Sequence, residues 1–144
     1  WAFNPNPAGR SSDQDAVVPS CDGLMTELQQ ADIIVIGLPM SNFGIPSQLK
    51  AYLDHIARAG VTFKYTAQGP IGLLTGKRAY VFATRGGFYT GTSLDTQTGY
   101  VRDFLRFIGI SDVNFVYAEG LAVSAQSKEA GLAKARAEIA LLGA

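Results

Sequence analysis

The chain has 144 residues, 47% of them hydrophobic, and its twelve basic side chains balance twelve acidic ones for a formal net charge of zero. That length supports one domain with a real core, and scattered, balanced charge argues against a polyanionic partner, because nucleic-acid binding needs a basic surface to displace counterions. The lone Cys21 cannot close an internal disulfide, no Cys/His cluster has metal-ligand spacing, and the longest strongly apolar run, residues 33–40, is too short to cross a bilayer.

The sequence starts at Trp1 and runs through Asn4-Pro5-Asn6-Pro7-Ala8-Gly9-Arg10-Ser11-Ser12, which reads as loop. Pro, Asn and Gly stand where a signal peptide would need an apolar core, so a cytoplasmic setting is expected. A start without Met on such a segment suggests a processed or truncated chain. Residues 1–19 are expected as loop or partial helix. A helix should begin near Ser20, with Pro19 in its first turn and Leu24, Met25 and Leu28 as its apolar stripe. Cys21 would then lie near a helix start, where the dipole can activate a thiol, although an inert thiol is the simpler reading.

Residues 32–38, Asp-Ile-Ile-Val-Ile-Gly-Leu, are short, β-branched and uninterrupted, the pattern of a strand buried on both faces of a parallel sheet. The next helix is expected over 46–59. There Leu49, Tyr52, Leu53 and Ile56 make the core face, Lys50, Asp54 and Arg58 point outward, and Gly60 ends the helix. Residues 61–76 suggest a short extended piece at 61–65 plus turns. A second buried strand follows at 79–84, then a glycine-rich loop at 85–99. A helix over 99–108 carries Val101, Phe104, Leu105 and Ile108 inward, with Tyr100 and Phe107 on a second aromatic face that suggests an interface or ligand wall. A third strand spans 113–118. The last helix is expected to be capped by Ser127 and to turn Leu132, Ala135, Ile139 and Leu142 inward. Strands alternating with helices imply a parallel sheet covered on both faces, with ligands beyond the carboxyl ends of the strands.

Two loops occupy that position. The first, Leu38-Pro39-Met40-Ser41-Asn42-Phe43-Gly44-Ile45-Pro46, is stiffened by a proline on each side and offers Met40 and Phe43 to a flat ring and Asn42 as a two-way polar group. An ordinary strand-to-helix loop has a similar composition. The second, Thr84-Arg85-Gly86-Gly87-Phe88-Tyr89-Thr90-Gly91, has paired glycines that let backbone approach a ligand closely. It lacks the G-x-G-x-x-G spacing of a dinucleotide loop, and the Gly72 to Arg78 segment lacks the spacing and the Ser or Thr of a P-loop. His55 has no metal-spaced partner and reads as a surface or interface residue.

Taken together, Pro39-Met40-Ser41-Asn42-Phe43, Gln48-Leu49-Lys50-Ala51-Tyr52-Leu53-Asp54, Arg58-Ala59-Gly60-Val61-Thr62-Phe63-Lys64-Tyr65, Leu74-Thr75-Gly76-Lys77, Thr84-Arg85-Gly86-Gly87, Phe107-Ile108-Gly109-Ile110 and Ala118-Glu119-Gly120 resemble the FMN-dependent NADH-azoreductases in order and spacing. The resemblance covers the chain from about residue 20 to its end. It implies a single flavodoxin-like domain, three layers of α/β/α around a parallel sheet, in which strands 3–5 of that fold and their helices are present. It also implies a homodimer with one FMN per subunit at the cleft between subunits. Members pass two electrons from NADH or NADPH to quinones or azo compounds in a ping-pong sequence, and no protein nucleophile or acid–base pair is required. By position, Pro39, Met40, Ser41, Asn42 and Phe43 would cradle the flavin ring, with Asn42 near its N5. Thr84, Arg85, Gly86 and Gly87 would meet its pyrimidine side, where N–H donors can stabilise developing negative charge. Tyr89 stands beside the flavin where some members have His, and Ser41 stands where many have Tyr. Asn42, Tyr65 and Phe107 would contact the acceptor. The family's opening strand, serine-rich phosphate loop, helix and second strand, roughly 50–60 residues, have no counterpart here. The alternative expectation is therefore a truncated, non-catalytic fragment that cannot retain FMN.

Overall fold

A computed structural model describes residues 7–143, so the expected loop over residues 1–6 lies outside the described residues. After a 3-10 turn at Pro7–Gly9, the chain order is α1 (Ser12–Gln30), β1 (Ile33–Pro39), α2 (Ser47–Ile56), β2 (Phe63–Thr66), β3 (Gly69–Gly72), β4 (Arg78–Thr84), α3 (Thr98–Phe107), β5 (Asp112–Ala118) and α4 (Ala125–Leu142). Strands β1, β4 and β5 form a parallel sheet in that spatial order, and β2 and β3 pair as a separate antiparallel hairpin. The expected α/β architecture is present. The extended piece expected at 61–65 proves to be the first arm of this hairpin.

One sheet face is packed by α2 and α3 through Leu53, Ile56, Val101, Leu105 and Ile108, against Ile36 and Leu38 of β1 and Ala79, Val81 and Ala83 of β4. The other is packed by α4, where Ala135 and Leu132 meet Val116, Ala118 and Phe82. Burying each larger aliphatic side chain contributes about 1.5–3 kcal/mol. The register aligns Pro39 with Thr84 and Thr84 with Ala118, so all three strands end level. The loops that follow them emerge side by side at one end of the sheet.

Six sequence-based expectations need correction. α1 starts at Ser12, eight residues earlier than expected, because Ser11 and Gln14 form a capping box and the helix simply accommodates Pro19. Cys21 consequently sits mid-helix and buried, away from any helix N-terminus. β1 is not covered on both faces. It is the edge of its sheet, and Ile33 and Val35 are 59% and 64% exposed, while Ile36 and Leu38 are buried. Arg58 does not point outward: α2 stops at Ile56, and the buried guanidinium pairs with Asp22 of α1. The cap of α4 is Ser124, whose side chain accepts from the Ser127 amide, and Ile139 faces solvent at 44% exposure.

The hairpin is held by a close backbone approach. A Cβ at Gly72 would fall 2.0 Å from the Gly109 nitrogen, so both positions need glycine, and Gly109 also takes φ +105°. Aromatic contacts fasten the same place: Phe63 lies 4.5 Å from Phe107 and 5.5 Å from Tyr65, centroid to centroid. Phe107 is therefore partly covered by the chain's own Phe63, while Tyr100, on the same helix face, is 40% exposed.

Candidate functional site

The loops after β1 and β4 meet. The Met40 amide donates to the Thr84 carbonyl at 3.0 Å, tying the first residue beyond β1 to the last of β4. Between them lies a cleft of about 200 Å³ lined by Met40, Asn42, Phe43, Gly86 and Tyr89. Five of the residues assigned to a flat ring from the sequence thus converge at one place, with Pro39 and Thr84 at the strand ends that frame it.

Loop one is a tight turn. Ser41 and Gly44 exchange backbone hydrogen bonds at 3.0 and 2.9 Å, and the two residues between them have positive φ, 48° at Asn42 and 68° at Phe43. This is the pattern of a type I′ turn, which favours Asn and Gly. Asn tolerates it; a Phe there is strained, costing of order 1–3 kcal/mol, and such strain persists only where surrounding contacts over-determine it. The strained turn presents the Phe43 ring at the cleft, 46% exposed, with the Tyr89 ring edge-on at 5.6 Å. Ser41 is exposed and donates its amide within the turn.

Loop two is pinned through its carbonyls. Those of Arg85, Gly86 and Gly87 accept from the amides of Leu121, Ala122 and Gly120. Among the described residues, the amides of Asn42, Phe43, Gly86 and Gly87 have no protein acceptor. A Cβ at Gly87 would come within 2.7 Å of the Tyr89 hydroxyl, so glycine there leaves room for the ring that folds back over this backbone.

Arg85 departs from expectation. Its side chain is fully buried and turned inward, so it does not face the cleft. Nη2 donates to Asp95 Oδ1 at 2.8 Å and to Thr98 Oγ1 at 3.3 Å, Nη1 reaches Thr90 Oγ1 at 3.3 Å and Glu119 Oε2 at 3.5 Å, and the guanidinium lies 4.9 Å from the Tyr117 ring centroid. Glu119 also accepts from the Tyr89 and Thr90 amides at 2.6 and 3.0 Å. Burial alone would push both carboxyls up. For Asp95, hydrogen bonds from Arg85 and Thr98 outweigh it; for Glu119, the Tyr89 and Thr90 bonds and the Arg85 charge do. Both are held below the ordinary carboxylate value.

Tyr65 and Phe107 are not in this cleft. They sit with the hairpin at the far end of α3, about 15 Å of helix from Thr98. His55 donates Nδ1–H to the Ala51 carbonyl at 2.6 Å on the α2 surface. Among the described residues, no His, Cys, Asp and Glu side chains gather as a metal-binding group, and no helix is long and apolar enough to cross a membrane. Sequence reading missed Asp95, Thr96, Gln97 and the role of Glu119. The available signal was Asp-Thr-Gln-Thr just ahead of an apolar helical stripe, the composition of a helix start.

A family model described as "Flavodoxin-like fold" matches residues 3–142. Among curated proteins, the chain is 56% identical over 131 residues to the "FMN-dependent NADH:quinone oxidoreductase 6" of Burkholderia lata, covering 91% of this chain and 66% of that protein. It is 53% identical over 138 residues to an "FMN-dependent NADH:quinone oxidoreductase" of Alcanivorax borkumensis, covering 96% and 70%. The chain thus spans just under two thirds of the Burkholderia relative's length. Among solved structures, it resembles the azoreductase AzrA with a TM-score of 0.87 and 29% identity, over 98% of this chain and 70% of that one. It also resembles an FMN-dependent NADH-azoreductase from Bacillus anthracis, solved in complex with FMN, with a TM-score of 0.82 and 31% identity, over 98% and 71%.

Proposed function

The chain belongs to the flavodoxin-like fold family, with azoreductases and NADH:quinone oxidoreductases among its relatives, and from that premise we propose that it carries the ring-binding half of an FMN-dependent oxidoreductase passing two electrons from NADH or NADPH to quinones and azo compounds in a ping-pong sequence. The observation that carries the proposal is the single cleft where Met40, Asn42 and Phe43 from one strand end face Gly86 and Tyr89 from the next.

These residues fit a flat, heteroatom-edged ring. Met40, Phe43 and Tyr89 supply apolar and aromatic surface, and the side chain of Asn42 can donate or accept. The unpaired amides of Gly86 and Gly87 suit an electron-rich edge, with no Cβ to hold the ligand away. FMN bound there would supply the two-electron chemistry, taking hydride from the nicotinamide and passing it to the acceptor. The chain's own part is to bind, orient and shield the ring. Preorganised N–H groups favour negative charge without reorganisation. Thr84 and Pro39 end the strands that level the two loops, and Ser41 leaves the turn uncovered by a side-chain ring, which widens access for an acceptor.

Tyr65 and Phe107 enter this reading across a homodimer interface. Within one protomer they lie a helix length from the cleft, and the hairpin exposes Tyr65 at 74% and Ile71 at 47%, a surface suited to a second subunit. A cytoplasmic setting, where NADH is supplied, accords with the proposal.

The test is a titration of the purified chain with FMN, followed by visible absorbance and flavin fluorescence, then an assay of NADH-dependent menadione reduction. Saturable binding with turnover supports the proposal. A protein that stays colourless and inactive in excess FMN sinks it for this chain and selects the alternative, a scaffold that does not retain the cofactor.

A further inference from the structure

Both loops of the cleft are held by one short segment that the proposed chemistry does not use. Gln97 is fully buried, and its Nε2 donates to the carbonyls of Pro39 and Gly44 at 3.0 and 2.9 Å, the last residue of β1 and the last residue of the strained turn. Because both partners can only accept, the amide orientation is fixed. The neighbouring Thr96 hydroxyl donates to the Phe43 carbonyl inside the same turn. Asp95 holds loop two: Oδ1 accepts from Arg85 Nη2 at 2.8 Å. The same oxygen accepts from the amides of Gln97 and Thr98 at 3.3 and 3.1 Å, so the carboxylate that fixes Arg85 also fixes the backbone carrying Gln97. Thr98 Oγ1 donates to Asp95 Oδ2 at 2.7 Å and lies 2.9 Å from the Tyr117 hydroxyl, anchoring the segment to β5.

We propose that residues 95–98 are a clasp that fixes the separation of the two cleft loops, with Gln97 the positioning residue for the turn at 40–44 and Asp95 the positioning residue for the loop at 85–90. This rests on the reading of the cleft as the ring site. The physical case is that a turn with Phe at φ 68° is not self-sustaining. Two hydrogen bonds donated from outside it, from Gln97 to Gly44 and from Thr96 to Phe43, with a third from Gln97 to the strand end at Pro39, supply the over-determination it needs. The clasp also couples the loops, because the one oxygen Asp95 Oδ1 accepts both from the Arg85 guanidinium of loop two and from the backbone amide of Gln97, which holds loop one.

The experiment uses Gln97→Met, which keeps the volume and removes both donors, and Thr96→Val, at an exposed position where folding is not at risk. Amide hydrogen exchange is measured by NMR on the chain without FMN, at Ser41 and Gly44, with Val81 and Val116 as references in the sheet. Each variant is expected to speed exchange at Ser41 and Gly44 by about 10-fold or more, the loss of one or two hydrogen bonds, with the references unchanged. Exchange at Ser41 and Gly44 that stays at the wild-type rate overturns the clasp. Should Gln97→Met also accelerate the references, Thr96→Val decides: faster exchange confined to the turn upholds the clasp, and an unchanged turn overturns it. In a second arm, FMN titration of Gln97→Met is expected to show affinity reduced by about 10-fold and altered visible circular dichroism of the bound flavin, a signature that general loss of stability does not produce. Wild-type protein that binds no FMN refutes the ring-site reading separately, while the exchange arm still judges the clasp.

Discussion

Replacing Arg85 by Met tests whether the buried charges beneath loop two act as one unit. The substitution keeps much of the stem volume and removes a guanidinium that bonds Asp95 at 2.8 Å and approaches Glu119 at 3.5 Å, both carboxylates being at most 14% exposed. Deleting one partner of a buried ion pair strands the other, at a cost of about 3–5 kcal/mol. For a chain of this size that corresponds to a fall in Tm of roughly 6–20 °C. The carboxylates cannot compensate by moving out, since Glu119 also receives the Tyr89 and Thr90 amides and Asp95 those of Gln97 and Thr98. The pH dependence follows from the direction of the shifts. In the wild type both carboxyls titrate below their ordinary values of 3.8 and 4.5. Their contribution is therefore fully present above those values and is lost as pH falls through the lower, folded-state ones. Part of the wild-type advantage needs ionised carboxylates, so the gap between wild type and variant is widest near neutrality and narrows in acid. Thermal unfolding followed by far-UV circular dichroism at pH 7 and in steps below pH 4 reads this directly. A Tm within about 2 °C of wild type at pH 7, below the shift expected for even 1 kcal/mol, refutes the reasoning. So does a gap that does not narrow in acid.

Phe43→Gly relieves the strained φ at a half-exposed position, so thermal stability should hold or rise by about 1 kcal/mol, while FMN affinity measured by fluorescence falls. Gly72→Ala drives a Cβ into the Gly109 backbone, which cannot yield, and is expected to destabilise by about 3 kcal/mol or more in chemical denaturation, whereas Gly23→Ala, with open space at its Cβ, does not. Gly87→Ala meets only the movable Tyr89 ring, so the expected result is a displaced ring and weaker FMN binding at nearly unchanged Tm. Ser124→Ala removes the side-chain acceptor for the Ser127 amide and should cost about 1 kcal/mol by denaturant titration, with FMN affinity untouched.

The strands, the helix stripes and the two loops at the strand ends were legible because each is a local signal. A β-branched run, a 3.6-residue apolar period or a Gly-Gly at a strand end reports on its own neighbourhood, and parallel topology then forces those loops to one end of the sheet. Two helix starts failed locally, at the Ser11–Gln14 capping box and the Ser124 cap, and the other failures depended on partners far along the chain. Nothing near Arg85 in sequence says that its charge is consumed by Asp95 and Glu119, and nothing near Arg58 says that Asp22 waits on another helix. The bare side of β1 was legible only from what the family resemblance lacks, an opening strand beside it, since the apolar run itself looks the same whether or not a neighbour covers it. Gln97 is the sharpest case: a polar residue read as loop becomes the buried fastening of a turn more than fifty residues away. Sequence by itself determined where the cleft-lining residues are, because periodicity and turn chemistry are short-range. Only the tertiary structure decided what holds them there, because a buried hydrogen bond is defined by the partner that folding brings to it.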